Sequence, residues 1–196
     1  MLFRKALLLS SASLFLAACG GNGTVAIELT DAPPDTATLS HVYVSLSSVD
    51  VHLAGGADEG TKEDTRAGED KGKDGGWHTV NPRAGRFDLL ALQNDVTASL
   101  GELDLPEGKI TQIRLFIDEA GENRVMTRDG QSCALDLSNV DKTGIKINHP
   151  FKAIDVPAGE RVRVVVDFDL KESVDEAGAC SFSLNPVIKL KSADLD

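Results

Sequence analysis

The chain of 196 residues carries 20 Lys and Arg against 31 Asp and Glu, a net charge of −11, and is 41% hydrophobic. That apolar content supplies the core of one domain and excludes wholesale disorder. The acidic balance excludes a phosphate-backbone binder, and with one Trp and one Tyr an aromatic platform for stacking bases or sugars is thin.

The N-terminus sets Arg4 and Lys5 before an apolar run from Ala6 to Ala17. The run is too short for a bilayer-spanning helix of about 20 apolar residues and has the layout of a secretory signal peptide, residues 1–18. Leu16-Ala17-Ala18-Cys19 resembles the lipobox of bacterial lipoproteins. That resemblance implies diacylglyceryl transfer to the Cys19 thiol and cleavage before it, with a plain signal peptide as the alternative. The mature chain then starts at Cys19, loses two cations and carries 18 basic against 31 acidic side chains. Two or three acyl chains, at about 0.8 kcal/mol per buried methylene, hold a protein on a membrane. Gly20 at the second mature position points, by analogy with lipoprotein sorting, to the outer membrane. The expected location is the cell envelope, facing the periplasm or the surface, with residues 19–23 as the lipidated start and tether.

Strand signals follow. Val25, Ile27 and Leu29 alternate with Thr24, Ala26, Glu28 and Thr30; Val42, Val44 and Leu46 keep one parity, and Val49, Val51 and Leu53 the other. The phase slips at Ser47-Ser48, the mark of a β-bulge or a break. Residues 55–76 contain only Ala57 and Ala67 as apolar residues and read as a flexible acidic loop between two strands. Within it, Asp70 to Gly75 resembles the opening of a calcium loop, although Gly72 stands at the third ligand position and Asn81 at the twelfth. Residues 87–100 are the one stretch open to a helical reading.

Thr111 to Ile117 places Ile113, Leu115 and Ile117 on one face. Residues 134–137, 144–147 and 182–190 add further strand candidates. In Arg161 to Leu170, Val162, Val164, Val166, Phe168 and Leu170 point inward, and Arg161, Arg163, Asp167 and Asp169 outward. Asp104-Leu105-Pro106-Glu107-Gly108 and Asp155-Val156-Pro157-Ala158-Gly159 repeat one pattern, each launching a long strand from a Pro-x-Gly turn. Cys133 and Cys180 remain as a pair in an exported protein, so a disulfide is expected, with two separate buried thiols as the alternative. Many short strands joined by turn residues predict an all-β, antiparallel two-layer β-sandwich over residues 24–191, with 192–196 as a tail.

Several segments coincide with one pattern: LTDAPPD (29–35), VYVSLSSVDVH (42–52), Trp77, FDLLALQN (87–94), LPEGKITQIRL (105–115), GIKINHPF (144–151), VVVDFDL (164–170) and NPVIKL (185–190). Together they resemble the bacterial lipoprotein family catalogued as domain of unknown function 4382. The resemblance implies a secreted, lipid-anchored sandwich of the carbohydrate-binding or prealbumin-like kind. It carries over no catalytic residue, and the acidic loop is longer than the family leads one to expect.

Chemistry is sparse. Asp31, ahead of Pro33-Pro34, is either a ligand carboxylate or a turn residue satisfying backbone donors. Asp167 and Asp169 lie about 7 Å apart along a strand and could share a cation with Asp31 or Asp118 if the fold gathers them; a solvated face salt-bridged to Arg161 and Arg163 is the other reading. His41, His52, His78 and His149 have no metal spacing, and no nucleophile elbow, phosphate loop or HExxH is present. The expectation is a non-catalytic envelope lipoprotein presenting loops to a glycan or an envelope protein, without nucleic acid. Trp77, Tyr43 and His78 are the ligand candidates, and a core position is the alternative for Trp77. A calcium-stabilised structural or protein-interaction lipoprotein, using Asp31, Asp118, Asp167, Asp169, Asp70 or Asp74, is the second reading, and a hydrolase the third.

Overall fold

A computed structural model describes residues 21–31, 38–54, 76–81, 85–147, 152–178 and 180–196. The signal peptide, Cys19, His149, Asp70 and Asp74, and the acidic loop up to residue 75 lie outside them. Among the described residues fourteen strands form two sheets. In chain order these are β1 (Asn22–Thr30), β2 (Leu39–Ala54), β3 (Gly76–Asn81), β4 (Gly85–Asp88), β5 (Ala98–Pro106), β6 (Gly108–Ile117) and β7 (Arg124–Thr127). They continue as β8 (Ser132–Asp136), β9 (Ile145–Lys146), β10 (Ile154–Val156), β11 (Arg161–Phe168), β12 (Val174–Gly178), β13 (Ser181–Leu184) and β14 (Ile188–Leu195). A single helical turn, α1 (Leu170–Ser173), follows β11, and the open stretch at 87–100 holds only a 3-10 turn, Leu89–Leu92.

One sheet has the order β14-β11-β1-β5; the other runs β10-β6-β2-β7-β8-β13-β12, with β3 and β4 also on β2 and β9 on β6. The sandwich expectation holds, with one correction. Both sheets are mixed, because β1 runs parallel to β11 and β13 parallel to β8. Val165, on the outward parity of β11, is also buried (5% exposed), set between Glu28 of β1 and Ser192 of β14. Val25, Ile27 and Leu29 of β1, Val164, Val166 and Phe168 of β11, and Val49, Val51 and Leu53 of β2 join one hydrophobic cluster between the sheets. Ser47-Ser48 is a bulge: the β2–β6 register shifts between Leu46 and Ser48. The expected tail is largely strand, since β14 pairs through Leu195 with Val162.

The two Pro-x-Gly units are the corners where the chain changes sheet, from β5 into β6 and from β10 into β11. Gly159 takes φ +77°, whereas Gly108 avoids positive φ and is small because a Cβ would meet Ala54 O at 3.2 Å. Both corners grip the start of β1. The Glu107 N–H donates to Gly21 O at 3.0 Å and the Gly159 N–H to Asn22 O at 2.8 Å. The chain therefore enters the domain between them.

Candidate functional site

Strand alternation decides which side chains of β2 face water. With Val49, Val51 and Leu53 in the core, Asp50 and His52 stand on the outer face of the ten-stranded sheet. The strands flanking the acidic loop pair as a hairpin, His52 opposite Trp77 and Asp50 opposite Thr79. On the other side of β2, β6 sets Gln112 opposite His52 and Arg114 opposite Asp50. Next to β6, β9 sets Lys146 opposite Arg114. Two rows result: Trp77–His52–Gln112, and Thr79–Asp50–Arg114–Lys146.

Trp77 is 42% exposed, which removes the core reading for it. The Arg114 guanidinium lies 3.9 Å from its ring centroid, a cation–π contact, and His52 meets the ring edge-on at 5.1 Å. His52 Nδ1 lies 2.8 Å from Thr111 Oγ1, whose hydroxyl donates to His52 O at 3.3 Å. Either tautomer satisfies Nδ1 at the Thr111 hydroxyl and leaves Nε2 for a further hydrogen bond. Burial, together with the charge of Arg114 and the neighbouring His78, pulls the His52 pKa below its ordinary 6.5. The ring is therefore mainly neutral at pH 7. Burial pushes the Asp50 carboxyl up, against the Thr79 hydroxyl and Arg114. Among the described residues neither Arg114 nor Lys146 makes an ion pair, whereas Arg86, Arg124, Arg161 and Arg163 each hold a carboxylate.

Tyr43 lies on the same face at the far end of β2, nine residues from His52, about 30 Å by strand rise. Trp77 and Tyr43 cannot contact one sugar ring. Tyr43 stacks on His41 at 5.5 Å and lies beneath Arg86 and Arg124. Both arginines pair with Glu122, and His41 Nδ1 lies 2.6 Å from Asp88, so this cluster satisfies itself. His78 follows Trp77 on the strand and so points to the opposite side, with Nε2 buried.

The aspartates divide by role. Asp31 is 2% exposed; its N–H donates to Leu92 O, and its Oδ1 accepts the Leu170 N–H at 3.0 Å. Burial raises its pKa to about 7, opposed by the Leu170 N–H and the Gln93 side chain and reinforced by Asp167 and Asp169. The fold thus brings Asp31, Asp167 and Asp169 near one another. Asp169, placed outward by its parity, is instead buried (8% exposed) because the chain turns there into α1. It caps that turn by accepting the Glu172 N–H and pairs with Lys189 at 2.5 Å. Burial pushes its carboxyl up, but Lys189 and the Glu172 N–H outweigh burial and hold it below the ordinary range. Asp118 belongs to the β6–β7 turn, where its Oδ1 accepts the Ala120 N–H. Arg163 pairs with Glu28, and Arg161 with Glu102 and Asp196, on the outer face of the other sheet. Among the described residues no group of three His, Cys, Asp or Glu is arranged to hold a metal ion.

Cys133 and Cys180 form a disulfide with Cα atoms 5.0 Å apart, joining β8 to the start of β13 beside their parallel pairing. Lys146 falls in the strand candidate 144–147, but the sequence does not say that this strand pairs with β6 and sets Lys146 opposite Arg114. The signal for Arg114 was its outward parity between Ile113 and Leu115.

Residues 22–186 match the family described as domain of unknown function (DUF4382). No curated protein and no solved structure matches the chain.

Proposed function

The chain belongs to the family built on domain of unknown function 4382, and we propose that it is a non-catalytic, lipid-anchored envelope protein that binds carbohydrate on the Trp77 face. The observation that carries the reading is the half-exposed indole on an outward strand position, with Arg114 over its ring, His52 at its edge and Thr79 two residues on along the same face. The part of the indole that Arg114 and His52 leave in water costs hydrophobic free energy that a ligand recovers on contact. The polar side chains around it match a hydroxyl-rich partner.

The lipobox at Cys19 supports the anchor. Two residues, Gly20 and Gly21, separate Cys19 from the first residue of β1, a span of three Cα steps that reaches at most about 11 Å, so an anchored domain sits close to the bilayer. The same end carries the site. Glu107 holds Gly21, and two residues on Lys109 pairs with Ala54, next but one to His52. A glycan near the membrane surface is thus within reach of the face.

Affinity electrophoresis of the purified protein through gels containing neutral or acidic polysaccharides tests the binding. Retardation that disappears in Trp77→Ala supports it; equal mobility in every gel refutes it. Mass spectrometry of the N-terminal peptide tests the anchor, which fails if Cys19 carries no acyl modification.

A further inference from the structure

We infer that Arg114 and Lys146 form a carboxylate-binding pair, so that the glycan recognised beside Trp77 is an acidic sugar; the inference rests on the carbohydrate reading. The two cations stand directly opposite each other on β6 and β9, an arrangement that destabilises an antiparallel pair. Acidic residues outnumber basic ones by 31 to 20 in this chain, and the other strand arginines on the outer faces are matched to carboxylates. Asp50 and Asp141 lie near enough to feel these cations, yet among the described residues no carboxylate closes a salt bridge with either, which leaves the donors of both for an anion.

The backbone holds that pair together. Gly144, with φ +96°, precedes β9, and a Cβ there would meet the Phe116 ring at 2.8 Å and Arg114 Cβ at 3.2 Å. Without a side chain at this position β9 lies against β6 and Lys146 comes beside Arg114. The guanidinium is also oriented, its one face covered by Trp77 at 3.9 Å and one Nη donating to Gln112 at 3.3 Å. A planar fork fixed in this way suits a carboxylate, and the ammonium of Lys146 adds a point charge. Asp50 across the strand offsets one of the two positive charges. Asp141, held low chiefly by the Thr143 N–H and hydroxyl and further by Lys146 and Arg114, offsets part of the other, so the pair suits a singly charged carboxylate rather than a phosphate dianion. The neutral His52 ring offers Nε2 to a sugar hydroxyl.

Trp77 is the only tryptophan, so its emission reports on this site. The detergent-solubilised protein is titrated with trigalacturonate and, separately, with its fully methyl-esterified form, which keeps the hydroxyls and removes the charges. The acid is expected to bind about tenfold or more tightly than the ester, with the advantage shrinking as salt rises. Arg114→Gln and Lys146→Gln should each reduce that ratio severalfold while binding of the ester persists. Arg86→Gln, in the self-paired Tyr43 cluster, should leave it unchanged. Lys146→Gln does not touch the indole, so it separates charge recognition from any disturbance of Trp77. Equal affinity for acid and ester, or an unchanged ratio in Lys146→Gln, overturns the inference and leaves the carbohydrate reading standing. Absence of binding to both ligands, and to the polysaccharide gels, overturns the two together.

Discussion

Asp31 makes the protein's stability depend on pH in an unusual direction. Its carboxyl is 2% exposed and titrates near 7 in the folded chain, against about 3.9 when unfolded. Between those values the folded state holds a proton that the unfolded state has released, so stability falls as pH rises, by up to about 1.36 kcal/mol per unit. Integrated from pH 4.5 to pH 8, the loss is about 3 kcal/mol. Asp31→Asn keeps an oxygen for the Leu170 N–H and removes the titration. Urea unfolding of wild type and variant at pH 4.5, 5.5, 6.5 and 8.0, with the disulfide intact, gives the stability difference at each pH. That difference should move in favour of the variant by about 3 kcal/mol from the lowest pH to the highest. Any constant cost of the amide cancels in this comparison. A difference that stays level, or moves the other way, would show that Asp31 is already ionised in the fold at pH 4.5 and that its burial is compensated by partners.

Three further outcomes follow from the same packing. Gly23→Ala drives a Cβ to 2.4 Å from Pro157 O, a backbone clash at the strand start held by both corners, and should cost about 1–3 kcal/mol in urea unfolding; an unchanged midpoint would refute the grip. Replacing Cys133 and Cys180 together by serine opens a 47-residue loop and should lower stability by roughly 4 kcal/mol, read as a drop of about 10 °C in melting temperature; no drop would mean the bridge constrains little. The His52 pKa is held below 6.5, so its ring resonances should titrate with a midpoint under that value in NMR spectra; a midpoint at or above it would contradict the neutral ring beside Arg114.

Legibility in the sequence followed the regularity of the strands. β1, β2 and β11 alternate cleanly, and even the Ser47-Ser48 slip appears as a register shift. β5 was hidden because Gly101, at φ +137°, takes part in a register break opposite Ile27 and Glu28, which puts Leu100, Leu103 and Leu105 out of a period of two. The parallel pairs were hidden for a different reason: alternation reports which face of a strand is buried and carries nothing about which strand lies alongside, or in which direction. Asp169 reads outward by parity, yet the chain leaves the strand there to begin α1, and the carboxylate is drawn in as its cap. Trp77 stands out in the sequence by residue type alone, since the loop before it offers no phase. Its orientation, and the pairing of Arg114 with Lys146, come from three strands that meet only in the folded sheet.

The central claim is that ligand binds on the outer face of the ten-stranded sheet around Trp77, and chemical-shift mapping tests it most directly. The isotopically labelled, detergent-solubilised protein is titrated with trigalacturonate while backbone amides and the single indole N–H are followed. The account predicts saturable shifts for the Trp77 indole and for residues 50–52, 77–79, 112–114 and 145–146, with the Tyr43 cluster and the Glu28–Arg163 face unmoved. Shifts centred on either of those other surfaces, or none around Trp77, would contradict it.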